Sequence, residues 1–402
     1  MKLVFKNRRL RLLTLGSALI AGLLMVPFAC FAENPTGLQP KPVQQEQPPQ
    51  EVQEYTKTTK KEFPINPTGM VDLTNKYGKV EVNTWERNRV KIDVTIVVDA
   101  RSESAAQDVF DRITIDFSND DDFVKAETNI ESKNSWWDSG SWGGKKKTEF
   151  QVNYEVYMPE SCNLNLENKY GNSTVAAING SADVEVKYGD FQLEGVGGDL
   201  KVYLGYGNGT VVKARDVSAA ISYSKINFND AQDINFDTKY SKIYIDNGAT
   251  IKADSRYDQF NMGSINRFNV ESRYGNVEIG EVETVIANSR YTDYKVENLS
   301  DGADFSIEYG GLKIGELAKG FSEVVLDGKY SDFKIYVEPG ASFTLDGATS
   351  YAGIGYPAEM NVTYEKDKGT SHDVKGYVGT KGARSTIKAT LDYGGLRVRY
   401  KE

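Results

Sequence analysis

The amino-acid sequence predicts an all-β protein, a parallel β-solenoid of 17–21-residue coils behind an N-terminal β-rich cap that contains one short helix. Three observations favour this fold. A tyrosine followed by a turn residue recurs at nearly constant spacing. Apolar and polar residues alternate around each tyrosine, as in strands with one buried face. The 402 residues also include 37 glycines and 24 tyrosines against a single histidine, a composition suited to many turns and strands.

The tyrosine repeat carries most of this prediction. Its spacing is 18 residues, then 17, then 18, and finally 21, with one gap of 42. The series consists of Tyr170, Tyr188, Tyr206, Tyr223, Tyr240, Tyr257, Tyr274, Tyr291, Tyr309, Tyr330, Tyr351 and Tyr393. His372 falls at the middle of the long gap, where we interpret it as a substituted repeat position. An isolated copy of the motif surrounds Tyr77.

Each repeat is too short to form a core by itself. In one unit, Val184, Val186 and Tyr188 share a strand face, a Gly-Asp turn follows, and Phe191 and Leu193 form another inward pair. Stacking identical units buries these faces in continuous parallel ladders. An antiparallel meander or sandwich is the alternative, and the constant spacing favours the solenoid.

The N-terminal residues predict export. Residues 1–32 combine five basic residues, an apolar stretch and the small residues Cys30 and Ala32 at a cleavage site, which is typical of a signal peptide. An uncleaved signal anchor is the alternative. Residues 33–62 are rich in Pro and Gln and are predicted to be a flexible linker. No second long apolar stretch follows, so the mature chain is expected to lack a transmembrane span.

The remaining chain divides into two predicted regions. Residues 63–160 form the β-rich cap, with a short helix over 104–112 and a Gly/Ser-rich loop over 131–147. Residues 161–402 form the solenoid. The cap strands end at Pro159, after the segment Tyr154-Glu155-Val156-Tyr157-Met158.

Charge and cysteine content limit the partners and the location. Removing the signal peptide takes away five basic residues and no acids, which changes the net charge from −9 to −14. So acidic a chain is a poor nucleic-acid binder. The periplasm, the cell surface or secretion fits an exported chain of this kind. Lipidation at Cys30 is an alternative, although Pro27 fits the lipoprotein consensus badly. The charged C-terminal segment discourages edge pairing, so a monomer is expected.

The strand that ends at Pro159, an Asn-Leu-Asn-Leu strand and the serial Tyr-Gly-Asn/Asp turns resemble the uncharacterised bacterial "putative adhesin" β-repeat proteins. The resemblance covers roughly residues 63–402. It implies a right-handed solenoid and an envelope or surface location. It supplies no catalytic residues.

Two sets of aromatic residues are candidate binding sites. Stacking of the coils is expected to place the tyrosines in one ladder, which is either a structural corner or a platform for sugar rings. Their parity with Val184 and Val186 favours partial burial. The loop residues Trp136, Trp137 and Trp142 either cap a sheet edge or contact a partner.

Charged residues give weaker signals. A basic residue often precedes the tyrosine, and these cations form either a solvated face paired with acids or a strip for an acidic polysaccharide or lipid headgroup. The acidic turn Asn119-Asp120-Asp121-Asp122 lacks the ligand spacing of a calcium loop. No metal site and no cofactor are expected.

The sequence favours an exported, non-enzymatic, adhesin-like scaffold that binds a surface glycan or an envelope protein. With one histidine and one mature cysteine, His-based catalytic sites would all depend on His372. Two other functions stay open: a polysaccharide lyase or hydrolase that uses carboxylates on a solenoid, and a structural or accessory envelope component that binds no glycan.

Overall fold

The computed structural model describes residues 51–131 and 149–402. The first coil and the strands around it comprise β1 (Gln53–Pro64), β2 (Met70–Lys76), β3 (Val80–Trp85), β4 (Arg89–Ala100), α1 (Glu103–Phe110), β5 (Ile113–Asn119), β6 (Phe123–Ile130) and β7 (Glu149–Pro159). The following coils comprise β8 (Asn163–Lys169), β9 (Ser173–Val175), β10 (Ala182–Lys187), β11 (Phe191–Leu193), β12 (Leu200–Gly205), β13 (Asn208–Ser222), β14 (Lys225–Lys239), β15 (Lys242–Arg256) and β16 (Gln259–Glu308). The last strands are β17 (Gly311–Leu317), β18 (Glu323–Lys329), β19 (Asp332–Val337), β20 (Phe343–Ser350), β21 (Ile354–Gly355), β22 (Asn361–Asp367), β23 (Ser371–Val378), β24 (Thr386–Asp392) and β25 (Leu396–Tyr400).

The strands form two parallel columns, one before and one after each tyrosine. In the first column Val217 pairs with Ile234, and Ile234 pairs with Ile251. In the second, Ile226 pairs with Ile243. Each register step equals the spacing of the tyrosines, so every coil repeats the one before it. The predicted β-solenoid is therefore confirmed, and the antiparallel meander is wrong for this part of the chain.

Alternation within each coil builds one continuous core. Residues Val217, Ala219 and Ile221 of the first column face residues Ile226 and Phe228 of the second, and all five side chains are buried. Because the same positions are apolar in successive coils, the buried faces merge along the stack, which is what a unit of 17 residues needs to become stable.

The N-terminal region is more than a cap, because it provides a coil of its own. Strands β2 and β3 flank Tyr77 and pair in parallel with β8 and β9. On their other side lie β6 and β7, also in parallel. The antiparallel strand β5 then covers β6, while β4 and β1 cover β7. The motif around Tyr77 that looked isolated in the sequence is thus the first member of the stack.

Strand β1 corrects the C-terminal limit of the predicted linker. The sequence assigned residues 33–62 to a flexible linker, yet Gln53–Pro64 forms a strand whose twelve residues all pair with β4. Most of its side chains are exposed, so the strand is held mainly by backbone hydrogen bonds. Composition alone misses such a strand because it buries few apolar side chains.

The short helix agrees with the prediction to within two residues. It spans Glu103–Phe110, and the Ser102 side chain caps it by accepting a hydrogen bond from the Ala105 N–H. Ala106, Val109 and Phe110 bury its apolar side. No helix of the described residues is long and apolar enough to cross a membrane.

The C-terminal coils do not follow chain order. Strand β24 pairs with β18 on one side and with β20 on the other, while β25 pairs with β19 and β21. The coil of Tyr393 is therefore inserted between the coils of Tyr330 and Tyr351. The 42-residue gap in the repeat contains the antiparallel pair β22–β23.

His372 is not a substituted ladder position, and that interpretation is wrong. It lies in β23, antiparallel to β20, away from the tyrosine turns. Its Nδ1 accepts a hydrogen bond from the Ile354 N–H at 3.3 Å, and its Nε2 lies 2.9 Å from Glu365 Oε1. Spacing in the sequence cannot reveal a hairpin that interrupts a repeat by a multiple of its period.

A polar group lies in the core beneath the tyrosine turns. Asp258 is only 4% exposed, and Oδ1 accepts from the Ser241 N–H. Its Oδ2 accepts from Thr238, Ser255 and the Arg256 N–H. Burial raises the pKa of this carboxyl above its usual value, against the effect of the four donors.

Replacing Asp258 with Asn is expected to destabilise the protein by about 1–3 kcal/mol at neutral pH, because the amide N–H₂ faces the Arg256 N–H. A folded-state pKa above the unfolded value means that the folded state binds the proton more tightly. The wild-type advantage over Asp258→Asn should therefore widen as the pH falls from 7 towards the carboxyl's unfolded pKa. Urea unfolding of both proteins at several pH values measures this. A gap that narrows on acidification would contradict it.

Candidate binding surface

The tyrosine turns have an unusual backbone conformation. Thirteen tyrosines, Tyr77 and the twelve of the predicted series, have φ between 52° and 61°. Among the described residues no other non-glycine residue has a positive φ. The left-handed conformation costs a bulky L-residue about 1–2 kcal/mol, so each turn must be stabilised by other contacts.

The rings of these tyrosines stack on one another without a break. Successive ring centroids lie 4.7–5.0 Å apart and the ring planes differ by 0–11°. We call this column the tyrosine ladder. It begins at Tyr77, whose ring meets the edge of Phe150 at 5.5 Å, and it ends at Tyr351, beyond Tyr393. The predicted ladder is thus present, and the positive φ gives the turn that the stacking stabilises.

The ladder is half exposed, which differs from the expected burial. The tyrosines are 36–60% exposed, whereas Val184 and Val186 are buried. Parity with those valines is lost at the tyrosine because the chain leaves the strand conformation there. Both faces of an inner ring are covered by its neighbours, so ring edges and hydroxyl groups meet the solvent.

This geometry restricts how a sugar could bind. A sugar ring cannot lie flat on the face of an inner tyrosine. Tyr351 has Tyr393 on one face, and among the described residues no further aromatic ring stacks on the other; it is the most exposed ring of the ladder, at 60%. The ladder therefore presents a row of phenol edges and hydroxyls, with an uncovered ring face at this end.

Substitutions at Tyr240 test the balance between stacking and strain. Tyr240→Ala removes two stacked contacts and is expected to destabilise the protein by about 2 kcal/mol. Tyr240→Gly should be less harmful than Tyr240→Ala by about 1 kcal/mol, because glycine adopts a positive φ without strain. Denaturant unfolding measures both values.

Tyr203 provides the matched control, because it is an exposed tyrosine within strand β12 and not at a turn. There the order should reverse, with Gly less stable than Ala, since glycine weakens strands. The same order of Ala and Gly at both positions would show that the ladder conformation stores no strain.

Glycines after several of the tyrosines allow the turns to pack closely. A Cβ on Gly189 would lie 2.0 Å from the carbonyl oxygen of Gly171, and one on Gly207 would lie 1.9 Å from that of Gly189. These distances are too short for any carbon atom, so the sequence motif Tyr-Gly reflects the spacing between neighbouring coils.

The basic residues before the tyrosines are largely paired with acids. Lys187 Nζ lies 2.5 Å from Glu185 Oε1, and Arg290 Nε lies 2.7 Å from Glu308 Oε2. Lys169 makes the same kind of pair with Glu167. The interpretation as a solvated face with charge pairs therefore fits the structure better than a strip of uncompensated cations at these positions.

The other sequence candidates give little chemistry. Trp136, Trp137 and Trp142 lie outside the described residues. In the acidic turn, Asp120 Oδ1 accepts from the Asp122 N–H at 2.8 Å, and Asp122 accepts from Asn66, so these groups stabilise a turn. Across residues 51–131 and 149–402, no three His, Cys, Asp or Glu side chains converge as metal ligands would. Burial raises the pKa of the Cys162 thiol to about 11.

Comparison with known proteins gives no family assignment. No family model matches the chain, and no curated protein matches it. One solved structure that resembles it is described as "a putative cell adhesion protein from Clostridium sporogenes ATCC 15579". The identity is 8%, the match covers 87% of this chain and 100% of that one, and the TM-score is 0.19. So low a TM-score means that nothing known of that protein transfers to this chain.

Proposed function

We propose that this protein is an exported, non-enzymatic, adhesin-like scaffold whose tyrosine ladder binds an extended polymer of the cell envelope or cell surface. The observation that carries the proposal is the ladder itself: thirteen half-exposed tyrosines at regular spacing along one corner of the stack. Contiguous exposed aromatic surface of this kind marks interaction sites in soluble proteins.

The form of the ladder favours an elongated ligand. Each coil offers the same phenol edge and hydroxyl about 4.8 Å from the next, so a polymer gains one equivalent contact per coil. Tyrosine hydroxyls donate and accept hydrogen bonds, and the ring edges provide apolar contact, which suits the mixed surface of a glycan chain. Signal-like residues 1–32 support an exported location.

A binding assay with the mature chain, residues 33–402, tests this function. The protein is mixed with a panel of insoluble polysaccharides and envelope fractions, and both its retention and the release of new reducing ends or unsaturated products are recorded. Retention without products is expected. Products lost on a single Asp or Glu substitution would instead show a solenoid enzyme.

A matched set of variants locates the contact. Phenylalanine at Tyr206, Tyr223, Tyr240 and Tyr257 keeps the stacked rings but removes four neighbouring hydroxyls, and retention should fall at least fivefold. Phenylalanine at Tyr203, Tyr244 and Tyr336, which lie in strands rather than at the turns, serves as the control. Equal retention of both sets would contradict a ligand held by the ladder. No retention by any fraction would favour a structural envelope component.

A further inference from the structure

A second surface lies near the C-terminal end of the strand column that follows the tyrosines. A cleft of about 620 Å³ opens there between the last coils. Its lining includes Lys334 and Arg397 from neighbouring strands, Gly353 and Gly355 from the last coil, and His372 from β23. The cleft is separate from the tyrosine ladder, because its strand residues follow the turns.

Register places cations in a single column that leads into this cleft. Lys295 pairs with Lys313, Lys313 with Lys334, and Lys334 with Arg397, each one coil from the next. These side chains point outward, because their neighbours in the strands, such as Phe333 and Ile335, are buried. Like charges directly opposite each other in a sheet are destabilising unless something compensates them.

Compensation weakens along the column towards the cleft. Lys295 forms an ion pair with Glu297, and the Lys313 ammonium lies 5.9 Å from the centre of the Tyr336 ring. For Lys334 and Arg397, no carboxylate of the described residues comes within ion-pair distance.

The acids around the cleft are engaged elsewhere. Asp332 Oδ1 accepts a hydrogen bond from the Gly395 N–H at 3.0 Å. Glu365 binds the His372 Nε2 and accepts from the Tyr356 hydroxyl. The two innermost cations of the cleft are therefore left for a ligand.

Missing side chains create the space. The coil beyond Arg397 carries Gly353 and Gly355 where other coils carry side chains, and a Cβ on Gly353 would meet no atom within 4 Å. His372 forms part of the wall and is held in place by its bonds to the Ile354 N–H and Glu365. The result is a recess with Lys334 and Arg397 beside it, sized for a small planar anionic group.

We propose that this cleft binds the carboxylate groups of a linear acidic polysaccharide, with Arg397 and Lys334 as the main contacts and Lys313 as the next one along the chain. A guanidinium group matches a carboxylate in a bidentate geometry. Because the cations recur once per coil, the surface fits a polymer that carries one carboxylate per sugar unit. The proposal rests on the proposed binding function and specifies a ligand class for it, through a surface other than the ladder.

An anionic membrane fits this surface less well. The cations stand in single file inside a recess, and Asp332 and Asp293 flank the column on the same strand face. A plane of lipid headgroups would meet these acids along with the cations, whereas a single polymer chain can follow the column alone.

The test measures binding of fluorescent oligogalacturonates of one to six units to the mature chain by fluorescence anisotropy at low and physiological salt. Affinity should rise with length up to about three or four units, and Lys334→Ala/Arg397→Ala should weaken binding of the longer oligomers at least tenfold. Lys201→Ala/Lys252→Ala also removes two cations and is the control for net charge; it should change affinity less than twofold. Uncharged dextran oligomers should not bind.

The outcomes separate this inference from the proposed function. Equal affinity of the cleft variant, the control variant and the wild type overturns the cleft, and so does binding only to phosphatidylglycerol vesicles. If the ladder variants lose retention on polysaccharide while the cleft variant keeps it, the cleft fails and the ladder function stands. If only the cleft variant loses oligogalacturonate binding, the cleft stands without the ladder.

Discussion

Deleting the 17 residues from Ser241 to Tyr257 is expected to leave a folded protein with one coil fewer. The deletion joins Tyr240 to Asp258, so every later residue keeps its place relative to the columns. Asp258 also retains a hydroxyl three residues before it, because Thr238 takes the position of Ser255. Deleting only the eight residues from Ser241 to Gly248 turns apolar positions away from the core and should abolish cooperative unfolding.

Thermal melts of the two deletions and of the wild type measure the difference. We expect the 17-residue deletion to keep a single sharp transition within several degrees of the wild type. The eight-residue deletion should show a broad or absent transition and bind dyes that detect exposed apolar surface. Indistinguishable melts for the two deletions would mean that stacked coils do not carry the stability.

Substituting Gly189 by Ala should have the largest effect of any single methyl group in the chain. The new Cβ would lie 2.0 Å from the carbonyl oxygen of Gly171 in the preceding coil, and that oxygen belongs to backbone held by its own ladder. The two coils must separate at this corner, which lengthens hydrogen bonds and disturbs the stack of Tyr170 and Tyr188. We expect a loss of about 3 kcal/mol in the free energy of unfolding.

Gly205→Ala is the control for this substitution. Gly205 lies in the same repeat region, and a Cβ there would meet its nearest atom, Lys187 Cγ, at an ordinary 3.6 Å. Its effect should stay within about 0.5 kcal/mol. Similar losses at Gly189 and Gly205 would mean that the close approach between coils is not what requires glycine.

The sequence predicted the fold because the repeat is regular where the core is regular. Val184 and Val186 mark the strand, the glycine after Tyr188 marks the turn, and their recurrence fixes the stack. The helix was predicted from the apolar spacing of Ala105 and Val109. The ladder was predicted as well, because equal spacing puts equivalent residues above one another.

Other features depend on contacts between distant residues that the sequence does not display. A positive φ at each tyrosine is not visible from alternation, so the sequence suggested burial for side chains that are half exposed. The cation column was not anticipated either, since Lys334 and Arg397 lie 63 positions apart and become neighbours only through the inserted coil. The spacing of the last repeats is a multiple of the earlier one by coincidence, which misled the interpretation of His372.

The order of the final coils has a consequence for biosynthesis. The coil of Tyr351 meets the rest of the stack through the strands that follow residue 385, which are the last to be made. Earlier coils can form one after another as the chain emerges, but this one must wait for the final residues to enter between it and the coil of Tyr330. A prematurely terminated chain would therefore expose the unpaired edges of both coils, and only a full-length chain closes its own end.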